Sequence, residues 1–121
     1  MRIVRPEHCW CVLLVSPARR LCLQRVAMRC GYRICEVCSE LDCSERYLYH
    51  VFMRDIGLPP KTWMRQERMV VARRMLTGGR SPDDVAGLLG FSSKNNFRRE
   101  FLLHYRLGPL EFQRRQRGEM L

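Results

Sequence analysis

The chain has 121 residues, 46% of them hydrophobic, and a formal net charge of +10. That length fits one compact unit or two very small subdomains sharing a helix, and the hydrophobic content argues against global disorder. Lys61 and Lys94 are the only lysines, so the basic excess is almost wholly arginine, which favours a polyanionic partner, nucleic acid or an acidic membrane surface.

The apolar run "CWCVLLV" (9–15) is far shorter than the ~20 residues needed to cross a bilayer. The "SPARR" that follows offers no small-x-small cleavage site, so neither a membrane span nor a signal peptide is expected. The run reads as a strand or helix packing on the body of the protein. From Pro17, "ARRLCLQRVAMRC" predicts a helix with Leu21, Val26 and Met28 on one side, closed by Gly31. "RICEVCSEL" places Ile34, Val37, Cys38 and Leu41 at i, i+3, i+4 and i+7, an amphipathic helix. Asp42 and Cys43 form a tight turn, and Ser44 is an N-cap for "ERYLYHVFMRD", whose stripe is Leu48, Val51 and Phe52. Gly57 ends that helix, and Pro59 and Pro60 open the longest periodic stretch, running to about Leu76. Ser81-Pro82-Asp83-Asp84 supplies an N-cap, a first-turn proline and early acids, followed by Val85, Ala86 and Leu89 on the inner face. Gly90 turns the chain, Ser92 or Ser93 caps a helix to about Tyr105, and Pro109 starts a last one through Arg115. No β-hairpin signal appears after residue 16, so the expected fold class is all-α.

Seven cysteines cannot all pair internally, and reduced thiols in a cytoplasmic setting are the simpler reading. "CEVC" (35–38) has CxxC spacing, but Cys35 and Cys38 fall on a predicted helix instead of a zinc knuckle, and Cys38 faces inward as a small hydrophobe. The three histidines, His8, His50 and His104, form no ligand or triad pattern with the cysteines. No metal and no cofactor is expected.

The chain repeats itself. "SERYLYHVFMRDIGLPPKTWMR" (44–65) lies over "SKNNFRREFLLHYRLGPLEFQR" (93–114) at an offset of 49 residues. Leu48 matches Phe97, Phe52 matches Phe101, Pro60 matches Pro109, and Trp63 matches Phe112. The preceding helices correspond at an offset of 48, Cys38 over Ala86. A repeat of helix, tight turn and capped helix is the pattern of two helix-turn-helix units. At about 100° per residue, Asn95 and Arg99 point about 200° from Phe97, and Arg98 lies at about 100°. In the first copy Arg46 and His50 point away from Leu48, with Tyr49 at the side. Arginine suits guanine, asparagine suits adenine, and tyrosine suits a thymine methyl or a phosphate, so both exposed faces carry groups able to read base edges.

Residues from about Pro17 to Arg115 resemble the DNA-binding domain of the AraC/XylS family of bacterial transcription regulators. The match is carried by "DDVAGLLGFSSKNNFRREFLLHYRLGPLEFQRR" in the second copy. In the first it is carried by "SERYLYHVFMRDIGLPPKTWMRQERMVVARRML", including Arg68 and Ala72. The resemblance implies a seven-helix, homeodomain-like domain at 17–116, after an N-terminal extension (1–16) and before a tail (117–121). Its helix-turn-helix units would span 33–57 and 81–107, joined by a linker helix at 59–77. Each second helix would enter one of two successive major-groove segments, about 34 Å apart along the duplex. Base contacts would fall to Arg46, Tyr49 and His50, and to Asn95, Arg98 and Arg99, with Ser93 and Lys94 contacting phosphate. The implied partners are double-stranded DNA, bound as a monomer, and RNA polymerase.

Several positions depart from the family pattern. Arg33 stands where a Ser or Thr usually caps, Asp42 and Arg106 replace glycines, and Glu67 takes a usually apolar linker position. The second copy matches better and is more basic, and is expected to be the main anchor. Many members also carry a β-rich sensing domain, which 16 residues cannot build, so the chain is either a stand-alone regulator or part of a longer protein. The alternatives are a basic helical module gripping an acidic protein or membrane, and a cysteine-based zinc or redox sensor.

Overall fold

A computed structural model describes residues 1–15 and 18–118, in two units, Met1–Glu67 and Arg68–Leu121. Three short strands open the first unit: β1 (Arg2–Val4), β2 (Cys11–Val15) and β3 (Ala18–Cys22), antiparallel in the order β1-β2-β3. "CWCVLLV" therefore resolves to a strand. The helix expected from Pro17 is corrected: Ala18–Cys22 pairs with β2 and α1 begins only at Leu23, running to Arg29. The absence of a hairpin after residue 16 is corrected with it. Pro17 itself, with Ser16 and residues 119–121, lies outside the described residues. Pairing sets the alternation that a helical reading obscured. Ile3, Val12 and Leu21 form one cross-strand row against the helices, while Arg2, Leu13 and Arg20 form a row on the other face. The inward residues of α1 are thus Leu23, Val26 and Ala27, and Met28 is exposed.

From there onward the described helices follow the sequence periodicity. They are α2 (Ile34–Leu41), α3 (Glu45–Asp55), α4 (Pro60–Thr77), α5 (Pro82–Leu88), α6 (Lys94–Tyr105) and α7 (Pro109–Gln116). The molecule is predominantly helical, with the sheet a minor part. Val37, Cys38, Leu41, Leu48, Val51 and Phe52 join Ile3, Val12, Leu23, Trp63 and Met64 in the core of the first unit. Phe52 meets Trp63 edge to face, with ring centroids 5.8 Å apart.

The sheet is tied to the end of α3. The Ile3 N–H donates to Asp55 Oδ2 at 2.8 Å, and Arg54 Nε donates to Asp55 Oδ1 at 2.8 Å. These donors, Arg54 foremost, hold the Asp55 carboxyl down at about 2. A depressed folded value means that Asp55 contributes stability in full above about pH 4, and that this is lost as pH falls towards 2. Urea midpoints of the wild type should therefore drop through that window, and Asp55→Asn should lower the neutral-pH midpoint while flattening the acid limb. An unchanged slope in the variant would remove Asp55 from this account.

The second unit is built on aromatic rings. Phe97 and Phe101 are buried, and Phe101 lies 5.8 Å from Phe97, 4.7 Å from Tyr105 and 5.7 Å from Phe112. Arg68 holds the turn after α5: its Nε donates to the Leu89 carbonyl at 3.0 Å, and its guanidinium stacks 3.6 Å from the Phe91 ring centre. Gln113, buried on α7, donates through Nε2 to the carbonyls of Leu76, at 3.0 Å, and Arg80, at 2.6 Å. Those contacts tie α7 to the last turn of α4 and to the loop that follows it.

The duplicated turns share their backbone but not their residues. After the first helix of each copy stand Asp42 (φ 53°) and Gly90 (φ 72°); after the second stand Gly57 (φ 86°) and Arg106 (φ 63°). All four are left-handed, a conformation costing a side chain about 1–2 kcal/mol and glycine little. Arg106→Gly is therefore expected to stabilise the protein by roughly 1 kcal/mol, visible as a melting temperature a few degrees higher. Asp42→Gly should gain less, because aspartate tolerates this region. A loss of stability in Arg106→Gly would mean that the arginine side chain outweighs its backbone strain.

Candidate nucleic-acid interface

Each candidate recognition helix starts from a serine cap that leaves its first two turns open to solvent. On α3 the Ser44 hydroxyl accepts from the Tyr47 N–H at 3.1 Å; on α6 the Ser93 hydroxyl accepts from the Asn96 N–H at 3.0 Å. Arg33, by contrast, offers no side-chain cap to α2. With Leu48 and Phe52 packed inward, Arg46, Tyr49 and His50 are exposed; with Phe97 and Phe101 packed inward, Asn95, Arg98 and Arg99 are exposed, as are Ser93 and Lys94. The structure gathers the first three on α3 and the other five at the start of α6.

The two faces differ in charge and preparation. The first turn of α3 carries Glu45, while that of α6 carries no acid. The positive end of the α6 dipole is therefore uncompensated by a carboxylate of its own first turn and favours an anion. Lys94 Nζ lies 3.1 Å from Asp83 Oδ2 on α5, with both side chains mostly exposed. Such an exposed pair is worth little. Asn96, half-buried and outside the set read from sequence, links its neighbours: its Nδ2 donates to Ser92 Oγ at 2.8 Å, and its Oδ1 accepts from Arg99 Nη2 at 3.3 Å. The spacing offered a signal, since Asn96 lies four residues after Ser92 and three before Arg99 on one helix side. Among the described residues, Asn95 and Arg98 make no side-chain hydrogen bond or ion pair, which leaves their donors for a ligand.

On α3, Tyr49 lines an open cleft with Tyr32, Glu45, Pro60 and Lys61. The neighbouring Tyr47 hydroxyl accepts from the Met1 amine at 3.1 Å. Among the described residues no group of three or more His, Cys, Asp or Glu side chains could hold a metal, and no helix is long and apolar enough to cross a membrane.

A family model described as a helix-turn-helix domain matches residues 37–115. Among solved structures, the chain is similar to the C-terminal domain of the two-component response regulator yesN from Fusobacterium nucleatum. That pair is 24% identical with a TM-score of 0.64, over 75% of this chain and 94% of that one. It is also similar to a transcriptional regulator from Chromobacterium violaceum described as containing an AraC-type DNA-binding domain. There the identity is 20% and the TM-score 0.63, over 78% of this chain and 90% of that one. No curated protein matches. On the family match and on a fold shared with these two domains, the chain belongs to the AraC-type helix-turn-helix family, whose domains bind DNA and regulate transcription.

Proposed function

We propose that the chain binds double-stranded DNA at a preferred sequence, with α3 and α6 as recognition helices in successive major-groove segments. The carrying observation is the repeated division of labour on those helices: a buried pair, Leu48 and Phe52 or Phe97 and Phe101, opposite exposed groups able to read base edges. In this reading Arg98 and Arg99 donate to guanine, Asn95 reads adenine, and Ser93 and Lys94 bind phosphate. Arg46, Tyr49 and His50 take the second groove segment. The DNA-binding units are 33–57 and 81–107, with 59–77 the linker helix between them. The α6 unit is the main anchor, supported by its acid-free first turn and the Ser92–Asn96–Arg99 hydrogen bonds. The protein acts in the cytoplasm as a monomer, without a cofactor, and RNA polymerase is its protein partner.

The experiment is selection from a pool of random duplexes, followed by footprinting and a salt titration of the selected site. The expected product is one non-palindromic site of about two helical turns, with log K falling steeply against log salt and with survival against competitor DNA. Enrichment of no sequence would defeat specific recognition, and an inverted repeat would defeat the monomer.

A further inference from the structure

Two thiols meet where the hairpin of β2 and β3 joins α1. Cys9, in the segment before β2, holds its Sγ 3.7 Å from the Sγ of Cys22, the last residue of β3. Both point at one acceptor: Gln24 Oε1 lies 3.8 Å from Cys9 Sγ and 3.6 Å from Cys22 Sγ, and also takes the Trp10 N–H at 3.1 Å. A single amide oxygen thus fixes both sulfurs and the backbone between Cys9 and Cys11. Cys9 is exposed and Cys22 half-buried. Cys11, which stands opposite Cys22 in the ladder, is buried, with Arg20 Nη2 lying 3.6 Å from its sulfur. The exposed partner within reach of Cys22 is therefore Cys9.

We propose that Cys9 and Cys22 are a modification site, a dithiol that closes to a reversible disulfide by exchange with a low-molecular-weight disulfide such as glutathione disulfide. Cys9 loses its proton to solvent and its thiolate attacks one sulfur of the incoming disulfide. The S–S bond of the reagent breaks, and one glutathione leaves as thiolate. Cys22 then loses its proton, attacks the Cys9 sulfur of the mixed disulfide and expels the second glutathione. Two protein thiols are oxidised and one glutathione disulfide is reduced to two glutathiones. The sulfurs, 3.7 Å apart, must close to an S–S bond length of about 2.05 Å. Hydrogen bonding to Cys22, with smaller contributions from burial and Cys11, pushes the Cys9 thiol up to about 11. A raised thiol leaves less thiolate to attack the incoming disulfide at neutral pH.

The test uses the reduced 121-residue chain incubated with glutathione disulfide, alkylated, digested and read by mass spectrometry. The expected result is a peptide pair joining Cys9 to Cys22, lighter by two hydrogen atoms and reopened by dithiothreitol. A bridge across so short a loop should raise the melting temperature by on the order of 10 °C. Cys9→Ser and Cys22→Ser should each lose the linked peptide and the rise. Gln24→Ala should slow closure severalfold while closing the same pair, marking Gln24 as a positioning residue. The proposal is overturned if glutathione stays on Cys9 unresolved, if the bridge forms between Cys11 and Cys22 or between Cys38 and Cys43, or if Cys9 and Cys22 stay open to alkylation.

Discussion

Alanine at both Arg98 and Arg99 is expected to weaken binding to the preferred duplex on the order of 100- to 1000-fold, since each bidentate arginine–guanine contact is worth about 1–3 kcal/mol. Both side chains are exposed on α6 and absent from the core. The doubly substituted protein should therefore keep the wild-type melting temperature, and the loss can be assigned to recognition. Lys94→Ala should behave differently. It removes a phosphate ligand, so affinity should fall about equally for all sequences and the salt slope should shrink by about one. Arg46→Ala with His50→Ala should cost less than the α6 pair, because α3 has Glu45 in its first turn. Fluorescence anisotropy with the selected duplex, at two or more salt concentrations, measures all three. If the α3 pair abolished binding while the α6 pair left it intact, the assignment of the main anchor would be reversed.

Phe101→Ala is expected to destabilise the second unit by about 3–5 kcal/mol, enough to remove most of the stability of so small a body. Its side chain is 0% exposed and touches three other rings, so truncation opens a cavity that helices α6 and α7 cannot fill without moving. The comparison is Leu103→Ala on the same helix. Leu103 is 72% exposed and its removal should change stability by less than about 0.5 kcal/mol. Chemical denaturation with fluorescence and circular dichroism separates the two variants. Equal losses would mean that the ring cluster is not what holds this half together.

From residue 34 onward the helices were legible because each carries an apolar stripe within its own sequence, and α3, α5 and α6 a serine cap as well. Ser44, Ser81 and Ser93 cap where the pattern placed caps, and each inner stripe is buried. The stretch 18–22 was illegible for a physical reason. Alanine, arginine and leucine are strong helix formers, and only pairing with β2 makes them a strand, a partner that local periodicity cannot see. Exposure of Arg46 and His50, and of Asn95 and Arg99, followed from the wheel, since whatever sits opposite a buried pair must face water. What those side chains touch did not follow. The Ser92–Asn96–Arg99 hydrogen bonds, the Lys94–Asp83 pair and the buried Gln113 depend on rotamers and on neighbouring elements, and a one-dimensional pattern carries neither.

The residues at the four left-handed turns bear on how such chains are recognised at all. Each half keeps glycine at one turn and has exchanged it at the other, and the exchanges fall at opposite ends: Asp42 in the first, Arg106 in the second. A search template demanding glycine at both corners would reject either half, although the bends are intact. In this chain the two copies agree in inward-facing bulk and in the serine caps of α3 and α6, while at the corners it is the bend, not the residue, that they share.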